Sequence, residues 1–166
     1  MIRSSALQKT TIDDLVPGDL FRFSYGSGAV LALFLERVEN EAPRVGILQG
    51  ADFKNNMIWL DYNGGPHECL SYGSEWLLEE EHGPETYCGE RQSRGVARLY
   101  IDTPGLVMVF GPSNRNGFGF NFVIDLQSSS PFKLSPDAAP ILRWKIWENE
   151  DHRDSGNTPL FDSENP

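Results

Sequence analysis

Two histidines and two cysteines stand within 22 residues of one another: His67, Cys69, His82 and Cys88. Two thiols and two imidazoles are the donor set of a tetrahedral zinc site. Asn63-Gly64-Gly65-Pro66, just upstream, is the strongest breaker in the chain, and irregular backbone there would let ligands converge. The spacing fits no metal knuckle, in which paired ligands stand about two to four residues apart. His67 and Cys69 are separated by one residue, so a strand would send both side chains to the same face. The competing reading is two part-buried cysteines and two surface histidines. No cofactor is expected from the sequence as a whole; zinc at this cluster is the alternative.

The same residues raise nucleophilic chemistry. A reactive thiol needs a base in reach and an electropositive setting. Cys69 and Cys88 instead lie in the most acidic stretch of the chain, where carboxylates push a thiol pKa up. Paired carboxylates recur at Asp13-Asp14, Glu79-Glu80-Glu81 and Glu150-Asp151. Runs of this kind read as solvated faces, because acid–base work needs a coupled or buried pair in a cleft. There is no Gly-x-Ser-x-Gly elbow, no Walker A loop and no Gly-x-Gly-x-x-Gly between a strand and a helix. Gly117 and Gly119 fall inside a strand pattern, where they suit a bulge or close packing.

A second constellation is cationic and aromatic. Alternation over Ile141 to Glu148 sends Leu142, Trp144 and Ile146 inward and Arg143, Lys145 and Trp147 outward. An exposed Trp beside two cations is a plausible anchor for a protein partner, and Arg115, in the Ser113-Asn114-Arg115-Asn116 loop, could join it. The same face could stack a base beside phosphate-binding charges. The structural alternative is that Trp147 packs under the C-terminal segment while the cations are solvated.

Charge bears on that choice. The formal net charge is −10, unevenly spread. Glu68 to Glu90 carries seven acids and no Lys or Arg, and Glu148 to Pro166 carries six acids against Arg153. These blocks contribute −7 and −5, leaving the rest of the chain at +2. Such blocks confer solubility, cover a basic face, or offer a basic partner a docking surface. The total works against nucleic acid, whose binding is dominated by phosphate neutralisation. The expected partner is therefore another protein.

The elements that would position these residues are strands. Phe118, Phe120, Phe122 and Ile124 fall on alternate positions, giving one apolar face. Asp19 to Tyr25 alternates, Gly26-Ser27-Gly28 turns the chain, and Ala29 to Val38 is apolar enough to be buried on both faces. Arg44 to Gln49, Asn56 to Tyr62, Val96 to Asp102, Leu106 to Phe110 and Ile141 to Glu148 complete the series. Lys9 to Asp19 reads as a helical turn capped by Thr11. Ser74 to His82 is open between helix and strand, and Ser128 to Pro140 reads as loop. Arg22 to Phe34 and Arg98 to Phe110 echo each other: a short strand, a Gly turn and an apolar strand ending in Phe. Any two hairpins share that grammar, so the echo alone does not establish a repeat.

These patterns predict a mostly β fold, an antiparallel sandwich or one or two small SH3-like barrels with short helical turns. Residues 1–148 are expected as one β-rich domain. It would divide, if at all, into subdomains of about 11–66 and 91–148 joined by the acidic segment 67–90, with 149–166 a disordered acidic tail. At 166 residues the chain can bury a core without disulfides or metals. No apolar run approaches the ~20 residues that span a bilayer. The first residues lack a signal-peptide core, so a cytoplasmic location is expected. The function expected is a non-enzymatic interaction module. The alternatives are a metal-binding protein or enzyme using the His67 cluster, and a β-barrel holding a small ligand among its aromatic residues.

Overall fold

The long apolar run after Gly28 becomes a strand buried on both sides, and the architecture follows from it. The computed structural model describes residues 7–53, 56–65, 67–81, 98–113 and 119–164. Its first strands are β1 (Gln8–Thr11), β2 (Leu20–Tyr25), β3 (Gly28–Glu36), β4 (Arg44–Gln49), β5 (Ile58–Asp61), β6 (Glu68–Gly73) and β7 (Leu77–Glu80). Then come β8 (Leu99–Asp102), β9 (Gly105–Pro112), β10 (Phe122–Asp125), β11 (Ser130–Pro131), β12 (Ala139–Ile141), β13 (Trp144–Trp147) and β14 (Phe161–Asp162). Helical structure among these residues is limited to 3-10 turns at Ile12–Asp14 and Ala51–Phe53 and the helix α1 (Glu150–Asp154). The fold is mostly β with antiparallel pairing, as the alternation predicts; the parallel pair β5–β9 is the exception.

The strands form two units of the same plan. In the first, neighbours run β6-β2-β3-β4-β5; in the second, β12-β8-β9-β10-β11. Each is a meander whose fifth strand returns beside its first. Together they fit the β sandwich among the expected architectures. β5 and β9 join them through the register Ile58↔Gly111 and Trp59↔Pro112.

Side-chain alternation divides the interior into three cores. Val30, Ala32 and Phe34 of β3 face a core with Phe21 and Phe23, inside the first unit. Val107 and Val109 of β9 face a core with Tyr100, inside the second. Leu31 and Leu33 from β3, and Met108 and Phe110 from β9, turn the opposite way into a central core between the units. Close approach at that centre sets a residue choice: a methyl on Gly46 would fall 2.5 Å from the Phe110 ring.

The echo is therefore real in plan but displaced by one residue. The β2–β3 turn is closed by Tyr25↔Gly28 and the β8–β9 turn by Asp102↔Gly105. Gly28 thus corresponds to Gly105, whereas the sequence match sets it against Pro104. A slip of one position exchanges the faces of a strand, so the similarity of letters misassigns core residues that the turns assign correctly.

A second sheet, β14-β13-β7, closes the central core at one side. Trp144 and Ile146 of β13 and Phe161 of β14 are buried there, with the Trp144 and Phe161 rings 4.7 Å apart. Residues 149–164, expected as disordered tail, are thus ordered: Asn149 caps α1 through His152 N–H at 2.8 Å, and Phe161 docks. The acidic segment also enters the sheets. β6 pairs with β1 and β2, and Leu77–Glu80 is a strand rather than a helix. Two segments not expected as strands carry short ones: β1 overlaps the expected helical turn, just ahead of Ile12–Asp14, and β11 and the start of β12 fall in the expected loop 128–140. In the alternation from Phe118 to Ile124, Phe122 and Ile124 are buried, Phe120 is 51% exposed outside the strand, and Phe118 lies outside the described residues. No helix among the described residues is long and apolar enough to cross a membrane.

Candidate binding cleft

Four short segments meet where the two units join. Tyr25 ends β2, and the Gly26-Ser27 turn follows it. Asp52 and Phe53 belong to the 3-10 turn after β4. Leu60 and Tyr62 lie on and just after β5, and Gly111 to Ser113 close β9. Asp52 ties the first two segments together: its carboxylate accepts the Ser27 N–H at 2.8 Å and the Ser27 hydroxyl at 2.7 Å. The β5–β9 pairing ties the others, with Gly111 N–H donating to the Met57 carbonyl at 2.9 Å.

Two adjoining cavities result, of about 430 and 510 Å³, sharing Tyr25, Gly26, Leu60 and Ser113. Their walls are aromatic. Tyr25 stacks on Phe53 with centroids 5.8 Å apart. Tyr62 meets Phe23 edge-on at 5.4 Å and His67 edge-on at 5.7 Å. These are favoured aromatic arrangements and hold the rings in place. Burial, then the neighbouring Tyr25, raises the Tyr62 pKa, so its phenol stays a neutral donor and acceptor. Asp52, Asn56, Ser113 and Arg98 add polar groups to the rim and floor of the first cavity. Concave aromatic walls with a few convergent polar groups are the usual form of a binding site.

The residues singled out by sequence reasoning are placed differently. His67 is exposed and lines the second cavity. Cys69 is buried in the first unit's core. His82 and Cys88 lie outside the described residues. Among the described residues no three His, Cys, Asp or Glu side chains converge as a metal would require. Burial first, then Asp14 and Asp19, pushes the Cys69 thiol up to about 11, so acidic neighbours act as expected but solvent exclusion leads. At pH 8, iodoacetamide is expected to modify Cys69 in a Cys88→Ser chain at least ~100-fold slower than an unfolded cysteine peptide; a comparable rate, read by mass spectrometry, would contradict this placement. The sign for stability follows. An ordinary thiol of pKa 9.0 ionises before the folded one, so the thiol's contribution is present below 9.0 and lost as pH rises to about 11.

The aromatic–basic strand face is covered rather than open. Trp147 is 8% exposed, its ring 6.1 Å from His152 of α1, and its Nε1–H donates to Glu79 at 2.8 Å. Lys145 donates to Glu81 at 2.8 Å, and that hydrogen bond leads the causes raising its pKa. Arg143 meets Glu164 at 3.1 Å. The two acidic blocks thus converge on the basic strand β13, one through β7 and one through the C-terminal segment. Arg115 lies outside the described residues.

Sequence reasoning passed over Tyr25, Phe53, Tyr62 and Arg98 as site residues. Each reads locally as a strand, turn or core position, and only the β5–β9 pairing brings the segments together. No family model matches this chain, and no curated protein or solved structure matches it significantly.

Proposed function

We propose that this chain is a non-enzymatic binding module that receives an extended segment of another protein in the cleft between its two β units. The observation carrying the reading is the pair of adjoining cavities walled by Tyr25, Phe53, Tyr62 and His67, with donors and acceptors interleaved. An extended polypeptide presents both N–H and C=O groups along its length, with side chains to fill alternate pockets. Tyrosine supplies contact area at low entropic cost and is enriched among residues that dominate binding energy. A reducing compartment such as the cytoplasm suits the free thiol of Cys69.

The test is selection of displayed random peptides against the full chain, followed by calorimetry on the enriched sequences. Tyr25→Ala is expected to weaken the selected peptides about 30-fold, the loss of one anchor worth ~2 kcal/mol. Its melting temperature should stay close to the parent's, because Tyr25 is only partly buried at a strand end. Peptides that bind the variant equally well, or a selection that enriches nothing, would overturn the reading.

A further inference from the structure

In an acidic chain a cation in a cleft is ordinarily matched by a carboxylate, and among the described residues one cation here is not. Lys9, Arg37, Arg44, Arg143, Lys145 and Arg153 each meet a carboxylate at 3.5 Å or closer. Arg22 donates to the Tyr72 hydroxyl at 3.0 Å. Lys133 is exposed to water. Arg98 is half-buried, and among the described residues its guanidinium has neither an ion pair nor a hydrogen bond.

Its position is well defined. The Arg98 carbonyl accepts the Val109 N–H at 2.7 Å, anchoring the start of β8. Its terminal nitrogens lie 3.5 and 3.6 Å from where a Cβ on Gly111 would stand, so the side chain crosses the bare Gly111 backbone at the floor of the first cavity. The carboxylates nearby are engaged elsewhere: Asp52 by Ser27, and Asp61 by Arg44 at 3.2 Å. A guanidinium offers a planar fork of N–H donors that matches a carboxylate in bidentate fashion. Removing it part-way from water without a partner costs free energy, which a bound anion recovers.

We infer that Arg98 is the anchor for a carboxylate carried by the bound segment, with the adjoining Tyr25 and Phe53 rings taking an apolar or aromatic side chain beside it. This rests on the polypeptide-binding reading above and names the chemistry that the cleft selects. The presence of Asp52 in the same cavity favours a singly charged carboxylate over a phosphate, whose greater charge it would repel.

The experiment is a titration of the isotope-labelled full chain, followed by NMR at the Arg98 Nε–Hε group and the Gly111 and Ser113 amides. The probes are N-acetyl-phenylalanine, its neutral amide, N-acetyl-glutamyl-phenylalaninamide and inorganic phosphate. Carboxylate probes are expected to bind at least ~10-fold more tightly than the neutral amide, and to shift Arg98. Arg98→Gln is expected to abolish that preference. Arg98→Lys, which keeps charge but not the fork, should retain part of it, and it serves if the Gln variant does not fold. Stronger binding of the acetylated acid identifies a C-terminal carboxylate; stronger binding of the glutamyl amide identifies a side chain. Equal shifts of Tyr25 and Phe53 by acid and amide would overturn the carboxylate anchor while leaving the binding module standing. A preference that survives Arg98→Gln, or phosphate acting at lower concentration than either acid, would also overturn it. Failure of every probe together with an empty peptide selection would remove the binding module itself.

Discussion

Deleting residues 149–166 is expected to destabilise the protein by ~3 kcal/mol or more and to lower its melting temperature by roughly 6–12 °C. A disordered tail would cost within about 0.5 kcal/mol. The difference lies in a few contacts. Phe161 is 4% exposed against Trp144. Its backbone pairs with Ile146, and the Leu160 N–H donates to the Ile146 carbonyl at 2.8 Å. Ser163 adds three bonds: its hydroxyl accepts the Trp144 N–H at 2.9 Å and donates to the Leu142 carbonyl at 3.2 Å, and its own N–H donates to the Trp144 carbonyl at 3.0 Å. Deletion uncovers Trp144 and Trp147 together, so dye binding and tryptophan fluorescence should change along with stability. Phe161→Ala alone should reproduce most of the loss, since a buried Phe truncated to Ala typically costs ~3–5 kcal/mol. Unfolding curves of deleted and intact chains that superimpose would show that the segment is not docked.

Trp59→Ala is expected to be at least as severe, at ~3–5 kcal/mol and a drop of roughly 6–20 °C in melting temperature. Trp59 is 1% exposed at the seam between the units. Its Nε1–H donates to the Phe120 carbonyl at 3.0 Å, and its ring lies 5.0 Å from Phe120 and 6.1 Å from Phe122. The Arg44 guanidinium sits 5.8 Å over the ring while bonding Glu36, Glu41 and Asp61. Truncation therefore leaves a cavity, removes the hydrogen bond to the Phe120 carbonyl and loosens a charge cluster at one point. Trp59→Phe should recover part of the loss by filling volume without restoring the hydrogen bond. Chemical denaturation measures both variants; a cost below about 1 kcal/mol for the alanine form would mean that the seam is not held there. Because the seam also shapes the cleft, peptide binding should weaken in parallel with stability.

The cleft was hidden in the sequence for a reason separate from the fold. Tyr25, Phe53, Tyr62 and Arg98 belong to four segments, and nothing in any one segment marks it as a wall of a common site. Trp147 was visible as an aromatic residue beside two cations, but its exposure was not decided by alternation. The outward face of β13 is outward only with respect to the central core, and α1 then covers it.

What the residues determined by themselves was local. Alternation placed β2, β10 and β13, short apolar segments placed β4, β5 and β9, the Gly26-Ser27 turn closed the first hairpin, and the unbroken apolar run of β3 announced burial on both faces. Those are properties of a pleated chain in water, legible because side chains two apart share a face. Tertiary structure decided the remainder. It set the register that makes Gly28 equivalent to Gly105, ordered the C-terminal segment through one docked Phe161, and converged the acidic blocks on β13. It also left the Arg98 guanidinium, among the described residues, without an ion pair. Each of these depends on which strands pair and which residues distant in sequence come within contact distance, and short-range pattern carries no record of that.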